Sequence, residues 1–339
     1  MCGRPIVIIF DTINNIPSHK QFQDFSKRLV VDGHVVYHIT DNKRSDFDGV
    51  KVESYSGLTF FQTIKRFHVL LKSIQPDVVI STFRANHYID LLSNFHSFKW
   101  VMSVQSDFYH SNWYNRFRYR KANKVMVLSS PMIPKLSAMY PHLKERITVV
   151  PNSFEFEPLK ISTKHNVILH VGGGGINRNG KMVKGTDVLI NAFNAVSHKI
   201  PEVKLWIVGN YTAEYVSTSK IKFLGRKTHK EVLELMSMAK VLALPSRNEA
   251  FGQVFIEAMQ NGCALIGTEN TGAVDIIELG AYGYLVPQED VVALSDALSA
   301  AVAHYDSAIN CWNTYEAKRE KFNRDAWIEQ MKQLISEIN

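Results

Sequence analysis

Short apolar runs alternate with longer amphipathic stretches along this chain, and the alternation starts twice. In the first half, the runs at residues 6–10, 35–39, 77–81, 100–104, 125–128 and 147–150 are too short for helices and read as buried strands. Between them, helical spacing predicts helices over 60–74, 84–95 and 131–140. An earlier helix carries Phe22, Phe25, Leu29 and Val30 on one face and ends at Gly33-His34. The pattern restarts after a loop over 151–165. Strands are expected at 167–171, 204–208, 221–224, 241–244, 264–266 and 284–286, and helices at 187–197, 231–238, 253–260 and over much of 291–338. Strands that alternate with helices predict parallel, doubly wound sheets. The fold class is therefore α/β, with two Rossmann-like domains over 1–155 and 156–320 and a closing helix within 321–339. Ligand sites in such folds lie beyond the C-terminal ends of the strands, here in the cleft expected between the two arrays.

Composition narrows the class. At 339 residues, 45% hydrophobic and 21% charged, the chain reads as an ordinary globular protein of two domains. Its start reads as a strand rather than a signal peptide, and no apolar run reaches the length of a membrane span. Cys2, Cys263 and Cys311 form no disulfide framework, which points to a reducing compartment. Charge is uneven. Residues 1–155 hold 20 Lys+Arg and 12 Asp+Glu, a net of +8; the remainder hold 19 and 20, a net of −1. The basic first half implies an anionic partner, of which membrane lipid, a phosphate-bearing acceptor and nucleic acid are the candidates.

The densest chemistry lies between residues 241 and 266. Glu249 falls on the loop after one strand and Glu257 inside the following helix, whose first turn carries Phe251, Gly252, Gln253 and Val254. A helix N-terminus offers free N–H groups and a positive dipole end to an anion. Two acids beside it make sense if that anion carries hydroxyl groups, which donate to carboxylates. Taken alone, such a pair is more often a loop acid and a solvated helix residue. A second loop, with Gly172, Gly173, Gly174 and Gly175 directly after a strand, delivers Arg178, Lys181 and Lys184 before a helix starts near Thr186. Glycines let backbone approach a ligand and the cations can neutralise a diphosphate. The loop has neither the Walker spacing nor the G-x-G-x-x-G register, and its bland reading is a surface hairpin with solvated charges.

In series, Pro245-Ser246-x-x-Glu249-x-Phe251-Gly252, Glu257-Ala258-Met259-x-x-Gly262, Thr271-Gly272-Ala273-Val274-Asp275 and Gly283-Tyr284-Leu285-Val286-Pro287 resemble the donor-binding half of retaining GT-B glycosyltransferases of family 4. The family's E-x7-E motif falls on Glu249 and Glu257, its Lys-Gly step on Lys184-Gly185, its strand-end Gly-Arg on Gly225-Arg226, and its interdomain turn on Val150-Pro151-Asn152-Ser153. The resemblance is dense over 147–290 and topological before that. It implies a GT-B fold with two domains facing across a cleft, and a closing helix over 325–338 that packs back towards the first domain through Trp327, Ile328, Met331 and Leu334. It implies that Lys184 and Arg178 hold a donor diphosphate, Glu257 the ribose, and Glu249 with the N–H groups of Phe251 and Gly252 the donor sugar, while Gly225 and Arg226 meet the base. It implies no metal and no cofactor. The acceptor hydroxyl attacks from the leaving-group face, and the leaving phosphate takes its proton.

The chain departs from the family in two places. Gln105 stands where a catalytic His is often found, and His110 lies nearby but out of register, so both are acceptor-side candidates. The spacing from Arg178 to Lys184 is one residue longer than usual, so Lys181 competes with Arg178 as the partner of Lys184. Asp46-Phe47-Asp48 resembles a metal-binding D-x-D but reads as a solvated loop. Over 113–124, four aromatics interleave with five cations. The bland reading is a helix with Trp113, Phe117 and Tyr114 towards the core; the functional one is contact with a membrane surface, with nucleic acid disfavoured. The expectation is a cytoplasmic enzyme, peripheral at the inner face of the cell membrane. It moves a sugar from a nucleotide-sugar, a UDP-sugar above others, to a lipid-linked glycan of bacterial surface polysaccharide. The alternatives are a GT-B nucleotide-sugar epimerase and a non-catalytic anion- or membrane-binding protein.

Overall fold

The computed structural model describes residues 6–11, 17–40, 45–82, 85–106, 117–155, 163–173, 175–176, 179–211, 215–277, 283–306, 320 and 322–338. His110, Gly174, Arg178, and residues 113–116 of the aromatic and basic segment lie outside the described residues. The chain divides into two compact units. The first comprises residues 1–128, 132–154 and 322–339, and the second 129–131 and 155–321.

The first unit is built on seven parallel strands: β1 (Ile6–Asp11), β2 (Val35–Thr40), β3 (Lys51–Ser54), β4 (Val78–Thr82), β5 (Lys99–Val104), β6 (Lys124–Val127) and β7 (Ile147–Val149). Their order is β3-β2-β1-β4-β5-β6-β7, every neighbouring pair being parallel. Helices α1 (Pro17–Val31), α2 (Phe60–Ile74), α3 (Ala85–Leu92) and α4 (Met132–Met139) connect them. Thr59 and Gln62 form a capping box at the start of α2, which satisfies two otherwise orphaned N–H groups. The edge strand β3 is absent from the sequence-based expectation. Its sequence, KVES, carries no apolar run because one side pairs with β2 and the other is an edge.

The last helix of the chain, α10 (Arg324–Ser336), belongs to this first unit. Asn323 caps it by accepting from the Ala326 N–H at 2.7 Å. Trp327, Ile328, Met331, Leu334 and Ile335 enter one hydrophobic cluster with Phe22, Phe25 and Leu29 of α1 and with Val7 and Ile9 of β1. The Trp327 ring meets Phe22 and Phe25 edge-on, at 5.3 and 5.7 Å. The turn Val150-Pro151-Asn152-Ser153 is pinned by the fully buried Gln21. Its amide donates to Asn152 Oδ1 at 2.9 Å, and its carbonyl accepts from the Ser153 N–H at 2.8 Å.

The second unit holds six parallel strands: β8 (His165–Val171), β9 (Lys204–Val208), β10 (Ile221–Phe223), β11 (Ala239–Leu244), β12 (Ala264–Thr268) and β13 (Gly283–Val286), in the order β10-β9-β8-β11-β12-β13. Helices α5 (Thr186–Lys199), α6 (His229–Met238), α7 (Gln253–Gln260), α8 (Ala273–Ile277) and α9 (Val291–Ala303) connect them. One core gathers Ile168, Leu205, Ile207, Val241, Ala243 and Ile266 from the sheet with Leu189, Phe193, Leu294 and Leu298 from α5 and α9. No described helix is long and apolar enough to cross a membrane.

Asp46 and Asp48 are occupied structurally. Asp46 accepts from the Val52 N–H at 2.7 Å, and Asp48 pairs with Lys27 at 2.8 Å. In the aromatic and basic segment the reading that turned Phe117 towards the core does not hold: Phe117 is exposed, and Tyr119 is the buried ring. Tyr119 takes φ 58°. Its N–H donates to Asp90 at 2.7 Å, and its neighbour Arg118 pairs with the same carboxylate at 3.2 Å.

Candidate functional site

The strand ends of the second sheet bring together residues far apart in sequence. The β8 strand runs out at Gly172, and beyond it Ile176 makes an isolated antiparallel bridge to Met182. Lys184 then returns over Gly172. A Cβ on Gly172 would lie 2.8 Å from Lys184 Cγ, so a larger residue would push the lysine stem away. Gly185 caps α5 with φ 67°, and a Cβ there would stand 1.9 Å from the carbonyl oxygen of Pro245. Only glycine permits this approach. It seats the Lys184-Gly185 step against the end of β11, where the second loop begins.

On that loop Glu249 meets Lys184, with Oε2 2.5 Å from Nζ across 65 positions of sequence. Both side chains are largely buried, so the pair is screened less than a surface ion pair. Gly252, at φ 88°, starts α7 without a side-chain cap, and a Cβ there would crowd both Phe255 and Glu249. The first N–H groups of α7, those of Gln253 and Val254, therefore have no capping side chain. Phe251 is buried. Glu257, one turn further into α7, accepts from His229 Nε2 at 3.1 Å; the histidine is exposed at the start of α6 and the carboxylate is mostly buried. Among the described residues, Ser246 Oγ and Gln253 Nε2 are buried without a hydrogen-bond partner, an arrangement that suits a polar ligand.

Two further groups brace this arrangement, and sequence reasoning passed over both. Arg247, 8% exposed, grips Asp187 in the first turn of α5 through two bonds of 2.7 and 2.8 Å. It grips Glu289, after β13, through bonds of 2.5 and 2.9 Å. Its guanidinium also donates to Met182 O at 2.6 Å, and its backbone N–H to Val183 O at 2.8 Å. One residue thus ties the end of the Gly-rich loop, the start of α5 and the β13–α9 turn to the loop bearing Glu249. The Arg247 hydrogen bonds hold Glu289 down at about 2. Burial alone would raise Asp187, yet the same guanidinium, together with the backbone N–H groups of Asp187 and Val188, keeps that carboxyl below its ordinary value. An arginine two positions before the first acid of the motif was the only available signal.

The other is His170, fully buried in β8. Its Nδ1–H donates to Ala243 O at 2.8 Å, since a carbonyl can only accept, so Nε2 is the acceptor facing Thr186 Oγ1 at 2.9 Å. Burial pushes the imidazole down to about 4, and the nearby Lys184 charge adds to this. Tyr211 closes the chain of contacts, donating to Gly172 O at 2.9 Å beside Thr186.

The remaining expected residues are placed as follows. Lys181 stands 3.3 Å from Glu289 and not on Lys184. Gly173 is exposed on the loop. Gly225 and Arg226 lie exposed after β10, and the Gly225 carbonyl accepts from the Gly209 N–H at 3.0 Å. In the first unit Gln105 is buried with its amide turned onto Ser103 Oγ at 2.5 Å.

Residues 152–318 match the family described as Glycosyl transferases group 1. The phosphatidylinositol N-acetylglucosaminyltransferase gpi3 subunit of Schizosaccharomyces pombe is 26% identical over 200 residues, 55% of this chain and 41% of that protein. The chain spans about half the length of the curated relatives it matches. Among solved structures, a glycosyltransferase from Rickettsia africae superposes with a TM-score of 0.77 at 16% identity, covering 99% of this chain and 98% of its own. Anabaena HepE in complex with UDP superposes with a TM-score of 0.74 at 16% identity, covering 98 and 100%.

Proposed function

The chain belongs to the glycosyl transferases group 1 family through residues 152–318 and has the GT-B fold, and on that premise we propose that it is a retaining glycosyltransferase whose second unit holds a nucleotide-sugar donor. The observation that carries this reading is the Lys184–Glu249 pair, seated between the Gly-rich loop and the start of α7. An ammonium has three donors. Lys184 can therefore keep Glu249 while a second N–H meets a diphosphate oxygen. Glu249 then accepts from hydroxyls of the donor sugar. Glu257 accepts from the ribose in place of His229, and the first N–H groups of α7 face developing negative charge.

The reaction follows from this placement. The acceptor hydroxyl oxygen bonds to the anomeric carbon on the face from which the diphosphate departs. The bond from that carbon to the phosphate oxygen breaks, and the acceptor proton passes to the leaving phosphate. No protein base is required, which suits a first unit whose expected histidine position is Gln105. The protein orients the two substrates and stabilises charge on the leaving group through Lys184. Metal is not part of this scheme.

The donor we propose is a UDP-sugar, supported by the superposition on a structure that binds UDP. The acceptor we propose is a lipid-linked glycan of a bacterial surface polysaccharide, met at the inner face of the cell membrane. Support comes from the net +8 of residues 1–155 and from the phosphatidylinositol in the name of one relative. The test is nucleotide release from a panel of UDP-, GDP- and ADP-sugars, with and without lipid-linked acceptors. Release that depends on a UDP-sugar and rises with acceptor is expected. No release from any donor, together with no binding of UDP, would sink the reading; free rearranged sugar without acceptor would mark an epimerase.

A further inference from the structure

Tyr211, just beyond β9, belongs to none of the motifs around the donor site. Its ring packs against Tyr215 and Phe223, with centroids 5.6 and 5.4 Å away. Its hydroxyl stands 2.9 Å from Gly172 O and 3.0 Å from Thr186 Oγ1. Counting hydrogens fixes the direction of these bonds. The Ala243 carbonyl takes the His170 Nδ1–H, so His170 Nε2 takes the one hydrogen of the Thr186 hydroxyl. Thr186 has none left to give Tyr211. The tyrosine hydrogen is therefore the donor to Gly172 O and Thr186 Oγ1. Burial pushes the Tyr211 hydroxyl above its ordinary value, so this hydrogen stays in place.

The carbonyl that Tyr211 holds belongs to the first peptide of the Gly-rich loop. Gly209, at φ 142°, packs so close that a Cβ there would stand 1.8 Å from Gly172 O. The Gly172 N–H donates to Val208 O at 2.9 Å, and the Gly209 N–H to Gly225 O at 3.0 Å, so β8, β9 and the end of β10 are tied at this point. In a planar trans peptide the N–H points opposite to the C=O. A Gly172 carbonyl turned onto Tyr211 and Gly209 therefore sends the Gly173 N–H the other way. Gly173 is exposed, and among the described residues no acceptor meets its N–H. A hydrogen bond to the carbonyl also polarises the peptide and strengthens its N–H as a donor. An N–H so aimed, one residue beyond the glycine that lies under the Lys184 stem, suits an oxyanion.

We propose that Tyr211 is a positioning residue of the donor site, its hydroxyl holding the Gly172–Gly173 peptide so that the Gly173 N–H meets a diphosphate oxygen alongside Lys184. This rests on the donor reading above and gives the diphosphate a backbone partner. The test is Tyr211→Phe in the full chain, which keeps the ring in its cluster and removes only the hydroxyl. It is titrated with UDP, inorganic pyrophosphate and uridine. UDP and pyrophosphate should bind about tenfold more weakly, as for loss of one hydrogen bond to a charged group, and uridine as before. The KM for donor should rise with kcat little altered. Unchanged UDP and pyrophosphate affinity overturns the proposal. So does an equal loss for uridine, which marks a general disturbance of the site. Should the variant misfold, the wild type decides. With isotope-labelled glycines, the Gly173 amide signal should shift and gain exchange protection as pyrophosphate is added, and an indifferent Gly173 overturns the proposal. A wild type that binds neither UDP nor pyrophosphate brings down the donor reading as well. UDP binding to which Tyr211→Phe and Gly173 are both indifferent removes this inference alone.

Discussion

The two sheets share a design and differ in what their strand ends do with polar atoms. Among the described residues of the first, they are used on one another. Trp100 Nε1 donates to Ser81 Oγ at 2.8 Å, Ser81 donates to Asn86 at 2.6 Å, Asn86 donates to Ser103 O at 2.9 Å, and Gln105 donates back to Ser103. The result is a neutral, closed network that holds strands in register. In the second, charged groups from separate loops converge: Lys184 with Glu249, Glu257 with His229, and Arg247 with Asp187 and Glu289. Parallel sheets supply a floor in both cases. The proposed chemistry lies where ionised side chains are held at that floor by something rigid, here the glycine approaches and the Arg247 clamp.

If the units divide labour in this way, their variants should separate. The largest effect is expected from Trp327→Ala, which empties the centre of the first unit's core and should cost about 3–5 kcal/mol of stability, read by thermal unfolding. UDP affinity should be untouched, and a matching loss of affinity would break the comparison. Next, Glu249→Ala should lower turnover about 100-fold, as for the loss of one transition-state contact, with little change in UDP affinity. Equal losses in both would return Glu249 to a nucleotide-binding role.

The third prediction concerns pH. His170 is held near 4, below the ordinary 6.5. An unfolded chain therefore takes up a proton that the folded one refuses. The stability this gives is full above 6.5 and falls by up to about 3 kcal/mol as pH drops from 6.5 to 4. His170→Gln should flatten that slope in melts across this range. A second window belongs to Glu289, whose carboxyl is held by Arg247 at about 2 against an ordinary 4.5. Its contribution is present above 4.5 and lost as pH falls towards 2. Arg247→Met should abolish this lower window. It should also cost about 1–3 kcal/mol at neutral pH, between the surface and buried limits for ion pairs, and raise the KM for donor more than it lowers kcat. The smallest effect is Glu257→Ala, expected to weaken UDP about tenfold, a loss of about 1.4 kcal/mol, by calorimetric titration. Unchanged affinity would remove the ribose role.

The strands were legible wherever burial on both faces made a continuous apolar run, as in β1, β4 and β11. The edge strand β3 was not, because it is only partly buried at the sheet's edge. Glu249, Glu257 and Lys184 could be read because glycines and a strand-to-helix step surround them in fixed order. Arg247 could not, since its partners lie 60 and 42 positions away and only folding brings them to it. The replacement at Gln105 was visible in the sequence, but its bond to Ser103 belongs to the folded strand. One of the two readings of the 113–124 segment turned Phe117 towards the core. Tyr119, in a left-handed turn, is the buried ring instead.

The most direct test of the donor site is a crystal structure with an intact UDP-sugar bound. The account predicts diphosphate oxygens within hydrogen-bond reach of Lys184 Nζ, ribose hydroxyls on Glu257 with His229 displaced, and sugar hydroxyls on Glu249. A donor bound elsewhere, or one that leaves the Lys184–Glu249 and His229–Glu257 contacts intact without touching them, would contradict it.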